Sequence, residues 1–562
     1  MQNTSQNHEE NAINAFESDQ ESLSSSKKDF LNEPIEQDME KPDFSWPSVK
    51  RYITSRVTDL WPSKAQVVAN KHLLNPLPGL KQVSRKQWLM ILSALCGWTW
   101  DAYDFFSVSL NATQLAIDFD KSVKDITWGI TVVLMLRSVG GIFFGYLGDK
   151  YGRKYPFALN LLLMCILEIG TGFIKNYQQF LGVRAVFGIL LGGIYGNAAA
   201  TALDDCPSEA RGFISGVLQQ GYALGYLLAV VFTRAIADNS PKKWRAMFWF
   251  GAGISFLFVC FRLCLPETEA FKRKKQLEKY NAEHGIEQKS FKEKAVDSLK
   301  IYWLMIIYMV LLMAGFNFMS HGSQDLYPTL LSKQLNFSKD RATVTNCVAN
   351  FGAILGGIVV GHLSNFIGRR LSILICCVCG GALIYPWAFL KGTGINAGVF
   401  WLQFFVQGAW GVIPIHLSEL SPPAFRSFIV GVAYQLGNLA SSASSTIETT
   451  IGESFPLKNE QGQLEEGLYD YAKVMAIFVG CVFGYVLLIT LIGPEHRTVG
   501  VTSKDGLEKE ENPEDNELNE MEPMALVESH NAKSDVQQIE HLTGNYQSRD
   551  SSDSLESSSR LA

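Results

Sequence analysis

An amide, an imidazole and a carboxyl close one of the most apolar runs in this chain. Residues 301–316 carry no charge, and the string that follows, N-F-M-S-H-G-S-Q-D-L-Y-P-T (317–329), is polar. Asn317, His321, Gln324 and Asp325 fall at i, i+4, i+7 and i+8. A helix turning about 100° per residue puts them on one arc about 100° wide. Ser320 extends that arc, whereas Phe318 and Met319 lie outside it. Inside a bilayer such a stripe faces a cavity or neighbouring helices, not lipid. Its chemistry would be solute binding by Asn317, His321 and Gln324, and proton uptake by His321 and Asp325, because an imidazole titrates near neutrality. Alone, His321 would read as a hydrogen-bonded packing residue; two amides and an acid beside it favour a site.

Arg137 is the second candidate. It is the only charge between Asp125 and Asp149, near the middle of an apolar run. A central arginine costs about 2.5–3.5 kcal/mol on insertion scales, and it stays ionised whatever surrounds it. Its counter-charge could be internal, from Asp101 or Asp104 in W-T-W-D-A-Y-D-F-F (98–106). It could also be an anionic solute, for which a forked guanidinium suits a carboxylate best. Both remain open, and Arg137 could alternate between them. Asp101 and Asp104 thus join Asp325 and His321 as candidate proton-coupling groups. Gln219 and Gln220, with Gln435 and Asn438 on one helical face together with Ser442, could donate to a solute hydroxyl or keto oxygen. The plain alternative is contact between helices, which suits the serines better.

These residues need spanning elements to hold them. Apolar segments of about 20 residues, long enough to cross a bilayer, recur at 88–114, 126–148, 155–175, 178–203, 211–235, 245–265, 301–327, 341–364, 370–390, 397–418, 425–450 and 471–493. Twelve spans predict an all-α membrane protein of two six-helix halves, 86–265 and 301–493, joined by a linker at 266–300. That linker carries nine Lys and Arg, and the links D-K-Y-G-R-K and N-F-I-G-R-R are basic too. All three fall on one side of alternating spans, so the positive-inside rule makes that side cytoplasmic, with both termini there. Residues 1–45 hold eleven acids against three lysines, and 505–562 are similarly acidic and rich in Ser and Asn. Segments 1–85 and 494–562 are therefore expected to be disordered cytoplasmic tails. Lys27, Lys28 and the serine clusters at 22–26 and 557–560 could receive ubiquitin or phosphate. No cleavable signal peptide is visible.

Several classes are excluded by what is missing. The net charge of −6 comes mainly from the tails and there is no basic domain, which leaves no nucleic-acid partner. The ten cysteines lie mostly in apolar runs, as packing residues and not metal ligands. No phosphate loop or nucleophile arrangement appears, so neither an enzyme nor a cofactor is expected.

The halves repeat each other. G-Y-L-G-D-K-Y-G-R-K (145–154) matches G-H-L-S-N-F-I-G-R-R (361–370) at an offset of 216, and D-D-C-P-S-E-A-R-G (204–212) matches E-L-S-P-P-A-F-R-S (419–427) at 215. Pro207, Arg211 and Gln220 pair with Pro422, Arg426 and Gln435. Such duplication suits a transporter. Gly145, Gly148 and Gly152 allow a tight turn and close helix approach. Asp149 can accept from helix N-terminal amides or from Arg211, a charge latch holding one conformation. Lys150, Arg153 and Lys154 could instead only enforce topology. Asn365 stands where the first copy has Asp149, which predicts a weaker second latch.

The G-x-L-G-D-K-x-G-R-K segment resembles the signature loop of the major facilitator superfamily, and the resemblance covers about 86–493. The string at 317–329 is similar to the N-x-x-S/T-H-x-S/T-Q-D-x-x-x-T signature of fungal Jen-type carboxylate/proton symporters, in the sialate:H+ symporter branch. Asn317, Ser320, His321, Ser323, Gln324, Asp325 and Thr329 all match it. R-S-V-G-G (137–141) and Y-Q-L-G-N-L-A-S-S-A-S-S-T-I-E-T (434–449) also resemble that family. The resemblance implies proton-coupled uptake of lactate, pyruvate and related short carboxylates at the plasma membrane, along a path shaped by Asn317, His321, Asp325 and Arg137. Dicarboxylate carriers occur in the same family. A carboxylate sensor that does not transport is the reading from a different class.

Overall fold

A computed structural model describes residues 44–495 except 59, 122, 238, 284–290, 423–424 and 459–463. The tails beyond these limits, with Lys27, Lys28 and the serine clusters expected to be modified, lie outside the described residues. Twelve spanning helices are present. The first half comprises α1 (Arg85–Leu110), α2 (Val123–Tyr151), α3 (Lys154–Thr171), α4 (Tyr177–Gly192 and Ile194–Leu203), α5 (Ser208–Gln219 and Gly221–Phe232) and α6 (Trp244–Cys264). The second comprises α7 (Phe291–Gln324), α8 (Lys339–Ile367), α9 (Arg369–Ala382 and Ile384–Ala388), α10 (Gly394–Leu420), α11 (Arg426–Ser441 and Ser444–Glu453) and α12 (Tyr471–Ile492). Nine are long and apolar enough to cross a membrane by composition alone. The other three are α1, α9 and α11.

Local signals set the helix starts. Ser84 and Gln87 form a reciprocal capping box at α1, and Asn176, Ser338 and Asp470 cap α4, α8 and α12 by accepting from backbone amides. The only strands among the described residues are a short antiparallel hairpin, Pro456–Lys458 with Leu464–Tyr469, between α11 and α12.

Packing repeats as the sequence does. In the first half α2 packs on α4, α1 on α5 and α3 on α6; in the second α8 packs on α10, α7 on α11 and α9 on α12. Across the halves α2 lies against α11, and α5 against α8. The crossings are close because glycines meet there: a Cβ on Gly216 would come 2.4 Å from the Gly357 carbonyl oxygen.

Composition misplaced one segment. Residues 46–82, assigned to the disordered tail 1–85, form helices Trp46–Thr58, Lys64–Ala69 and Pro76–Gln82 with a 3-10 turn at Asn70–Leu74. The Tyr52 hydroxyl donates to Ile492 O and Arg56 to Gly493 O, while Arg370 donates to Arg56 O. Gln82 donates to Glu209. The segment runs from the end of α12 to the start of α5. Most of its large apolar side chains, among them Trp46, Ile53, Val57, Trp61 and Val68, stay exposed, and it is tied to the ends of both halves by these hydrogen bonds. The linker differs as well: Glu269–Glu283 is helical, and α7 begins at Phe291, ten residues before the expected span.

Candidate transport site

Arg137 projects from the midpoint of α2 and is 1% exposed. One terminal nitrogen donates to Oδ2 of Asp101 on α1 at 2.6 Å. The Phe105 ring, one turn along α1, is centred 5.5 Å from the guanidinium carbon. Neither the Arg137 Nε nor the other Asp101 oxygen has a hydrogen-bond partner. The pair is held end-on, through one contact, and a forked engagement is left unmade.

Aromatic rings from both halves gather beside it. Tyr195 of α4 stacks on Tyr434 of α11 with centroids 4.0 Å apart, and Trp98 of α1 lies within 6 Å of Tyr195, Tyr222 and Tyr434. Trp410 of α10 closes the group against Tyr434. Tyr222 of α5 also packs on Phe106 of α1, with ring centroids 5.2 Å apart.

The amides are engaged in holding the halves. Gln435 of α11 donates to the Gly192 carbonyl of α4 at 3.2 Å, and Gln220 of α5 donates to the Gln407 carbonyl of α10 at 3.5 Å. These repeat-related residues are mutual braces in this conformation. Asn438 donates to Gln435 Oε1, and Gln219 accepts from the Tyr195 hydroxyl.

Asp104 requires a correction: it makes no bond to Arg137. It faces Glu168 of α3, with Arg184 of α4 acting on both. A Cβ on Gly251 of α6 would lie 3.4 Å from an Asp104 oxygen and 3.5 Å from a Glu168 oxygen, so one small space separates the carboxyls. Ser255 donates to Glu168 at 3.1 Å, while both Asp104 oxygens and all three Arg184 nitrogens lack hydrogen-bond partners. One cation against two acids reaches neutrality with one proton bound.

The α7 stripe divides. The helix ends at Gln324, so Asp325 sits just beyond it with its side chain 34% exposed and His321 Nδ1 at 3.0 Å from its Oδ2. Asn317 turns back to donate to Met313 O of its own helix. Gln324 donates to Gln403 of α10, which in turn donates to Ser323. Residues on one arc therefore serve different partners, because α10 flanks the arc on one side.

At the end bearing the basic links, Asp149 accepts from Arg153 at 2.5 Å and from the backbone amide of Phe428, in the first turn of α11, at 2.8 Å. Arg211 does not reach Asp149: its Nε donates to Cys206 O in its own link. Asp204 receives both Arg153, at 3.5 Å, and Arg426 of the other half, at 3.0 Å. Gly152 sits at φ +100°, in the left-handed region that requires glycine, and a Cβ on Gly145 would come 2.8 Å from the Phe428 Cα. The second copy is no poorer in contacts. Arg369 forks onto Glu419 at 3.1 and 3.0 Å and also donates to Ser364 and Asn365, each at 2.7 Å.

A family model described as "Sugar (and other) transporter" matches residues 89–502. The chain belongs to this family. It is a multi-pass membrane transporter of major facilitator type, not an enzyme. The transporter is 39% identical over 474 residues to a "Carboxylic acid transporter protein homolog" of Saccharomyces cerevisiae, covering 82% of this chain and 76% of that one. It is 25% identical to the "Cis,cis-muconate transport protein" of Acinetobacter baylyi, covering 62% and 83%. Among solved structures, the proton:xylose symporter XylE bound to 6-bromo-6-deoxy-D-glucose shares the fold with a TM-score of 0.57 at 18% identity, covering 72% of this chain and 95% of that one.

Glu168, Arg184 and Glu448 escaped the sequence reading; the first two interrupt apolar runs as Arg137 does, whereas Glu448 lies in a stretch rich in Ser and Thr. A lone charge inside an apolar span finds Glu168 and Arg184 but not Glu448.

Proposed function

We propose that this transporter imports short-chain carboxylates such as lactate, pyruvate, acetate and propionate together with protons, by alternating access of its two halves. The observation that carries this is the Arg137–Asp101 contact: a buried permanent cation is balanced by one carboxylate oxygen, with its Nε unmatched. A solute carboxylate presenting two oxygens to the guanidinium makes the better pairing. Asp101, displaced and still buried, then takes up a proton, because an unpaired carboxylate there is expensive. The exchange balances: Arg137 keeps one anionic partner throughout, and one proton enters for each carboxylate bound. His321 and Asp325, held 3.0 Å apart at the end of α7, are the second half's candidate proton-coupling groups. The likeness to a yeast carboxylic acid transporter homolog supports the substrate class.

The basic links, the end of α12 and the segment 46–82 lie at one end of the molecule. The positive-inside rule makes that end cytoplasmic, with both termini there and the closed side facing inward, in the plasma membrane. The lipid bilayer is then its surroundings, and kinase or ubiquitin machinery would act on the tails.

A dicarboxylate substrate is the second reading, favoured by the likeness to a muconate transport protein and by a further buried cation, Arg184, whose nitrogens have no hydrogen-bond partner. Counterflow in proteoliposomes with a panel of C2–C4 acids tests both. Exchange of labelled lactate driven by monocarboxylates and not by succinate is expected. Exchange driven only by succinate or malate would replace the substrate class, and binding without accumulation would make the protein a sensor.

A further inference from the structure

The outer segment of α11, Ser444–Glu453, carries a carboxyl that the exchange at Arg137 does not use. Glu448 is fully buried, and neither of its oxygens has a hydrogen-bond partner. Its segment packs against α7 and α12. Past the end of α7, Asp325 is the charged group that acts on it, and His321 Nδ1 lies 3.0 Å from Asp325. The start of α12 offers no counter-charge among the described residues. Lys473 lies 4.0 Å over the Phe455 ring, and Asp470 accepts from the Lys473 amide and from Gln334.

No structural role accounts for this arrangement. An ionised carboxylate without donors costs several kcal/mol in such a site, and a second carboxylate opposite raises the cost. Glutamine or leucine would fill the same space without that cost. What a carboxyl alone provides is a proton that can be taken and given, and Asp325, one-third exposed, is the acid on the same side of the bundle that opens to water.

We propose that Glu448 is a proton-carrying carboxyl of the second half, which exchanges its proton with Asp325 as the carrier changes conformation. The neutral acid fits the enclosed site, and the proton leaves by way of Asp325 when that end opens. The inference rests on the symport reading and adds to it a proton bound in the second half.

Glu448→Gln in proteoliposomes tests it. Counterflow of labelled lactate, which needs no net proton movement, should stay within twofold of wild type. Accumulation driven by a pH gradient, with the membrane potential clamped, should fall about tenfold per pH unit if one coupled proton is lost. Unchanged accumulation with an unchanged pH profile overturns the proposal, as does loss of counterflow in a variant that still folds. Should the variant not fold, infrared difference spectra of the wild type between high and low pH decide. A protonated-carboxyl band that survives Asp101→Asn and Asp325→Asn but shifts in frequency in Glu448→Asp supports it; a band unshifted in Glu448→Asp overturns it. Wild-type protein that shows no carboxylate counterflow would defeat the substrate reading instead, and the infrared result would still decide the role of Glu448.

Discussion

The two halves place different chemistry on one frame. The 216-residue offset aligns Asp101 with Asn317, Phe105 with His321 and Arg137 with Ala353. In the first half the acid of α1 reaches across to the arginine of α2. In the second, α8 offers only a methyl group, and Asn317 folds back on its own helix. A permanent cation demands an anion at all times, so its partner can be exchanged but never dropped. The second half offers instead the His321–Asp325 contact at 3.0 Å, with no arginine in it. On the proposed reading the difference is a division of labour, with an anion anchor in the first half and conditional charge in the second.

The largest effect should come from removing the anchor. Arg137→Ala leaves Asp101 buried without a partner and should lower uptake of labelled lactate about a hundredfold, the scale of truncating a buried charge pair, at unchanged surface expression. Arg137→Lys should rescue poorly, because an ammonium is a point charge without the planar fork. Next is Asp101→Asn, which strands the cation and should cost about 3–5 kcal/mol of stability, read as a lowered melting temperature in detergent. Adding Asn317→Asp to that variant should not restore it, since Ala353 supplies no cation. Recovery in the double variant would show that the halves share one electrostatic pool and would break the comparison.

Sequence reasoning went far wherever periodicity or repetition carried the signal. Twelve spans followed from apolar length, and the paired motifs matched helices that pack in matching ways. It failed where partners come from remote helices. The arc of α7 is real, yet nothing in residues 317–325 tells that Gln403 of α10 draws Gln324 aside. Asp101 and Asp104 looked equivalent three residues apart; the helix turns Asp104 toward α3 and α4. The segment 46–82 was hidden because it folds on the ends of other helices, without a core of its own.

An intermediate effect is expected at the conditional charge. Asp325→Asn removes the acid that His321 Nδ1 meets and should lower gradient-driven accumulation about tenfold per pH unit, the loss of one coupled proton, while leaving counterflow measurable. Full accumulation would move the coupling proton wholly to the first half, to Asp101 or the Asp104–Glu168 cluster.

The smallest effects should come from the latches, where the comparison is sharpest. Asp149 holds the Phe428 amide of the other half, a charge at a helix N-terminus. Asn365 makes the corresponding crossing by donating to the Glu209 carbonyl at 2.8 Å, and the charged contacts of Arg369 all stay within the second half. The first crossing depends on charge and the second does not. Asp149→Asn should therefore open the closed end more often, raising alkylation of a reporter Ser427→Cys at the interface about tenfold, the scale of one charge-assisted hydrogen bond. Asn365→Asp trades a donor for a repelled acceptor and should raise it less, because Arg369 lies beside the new charge and neutralises it. Equal effects from the two would mean that the crossings act by shape alone, and the asymmetry between the halves would then be confined to the centre of the bundle.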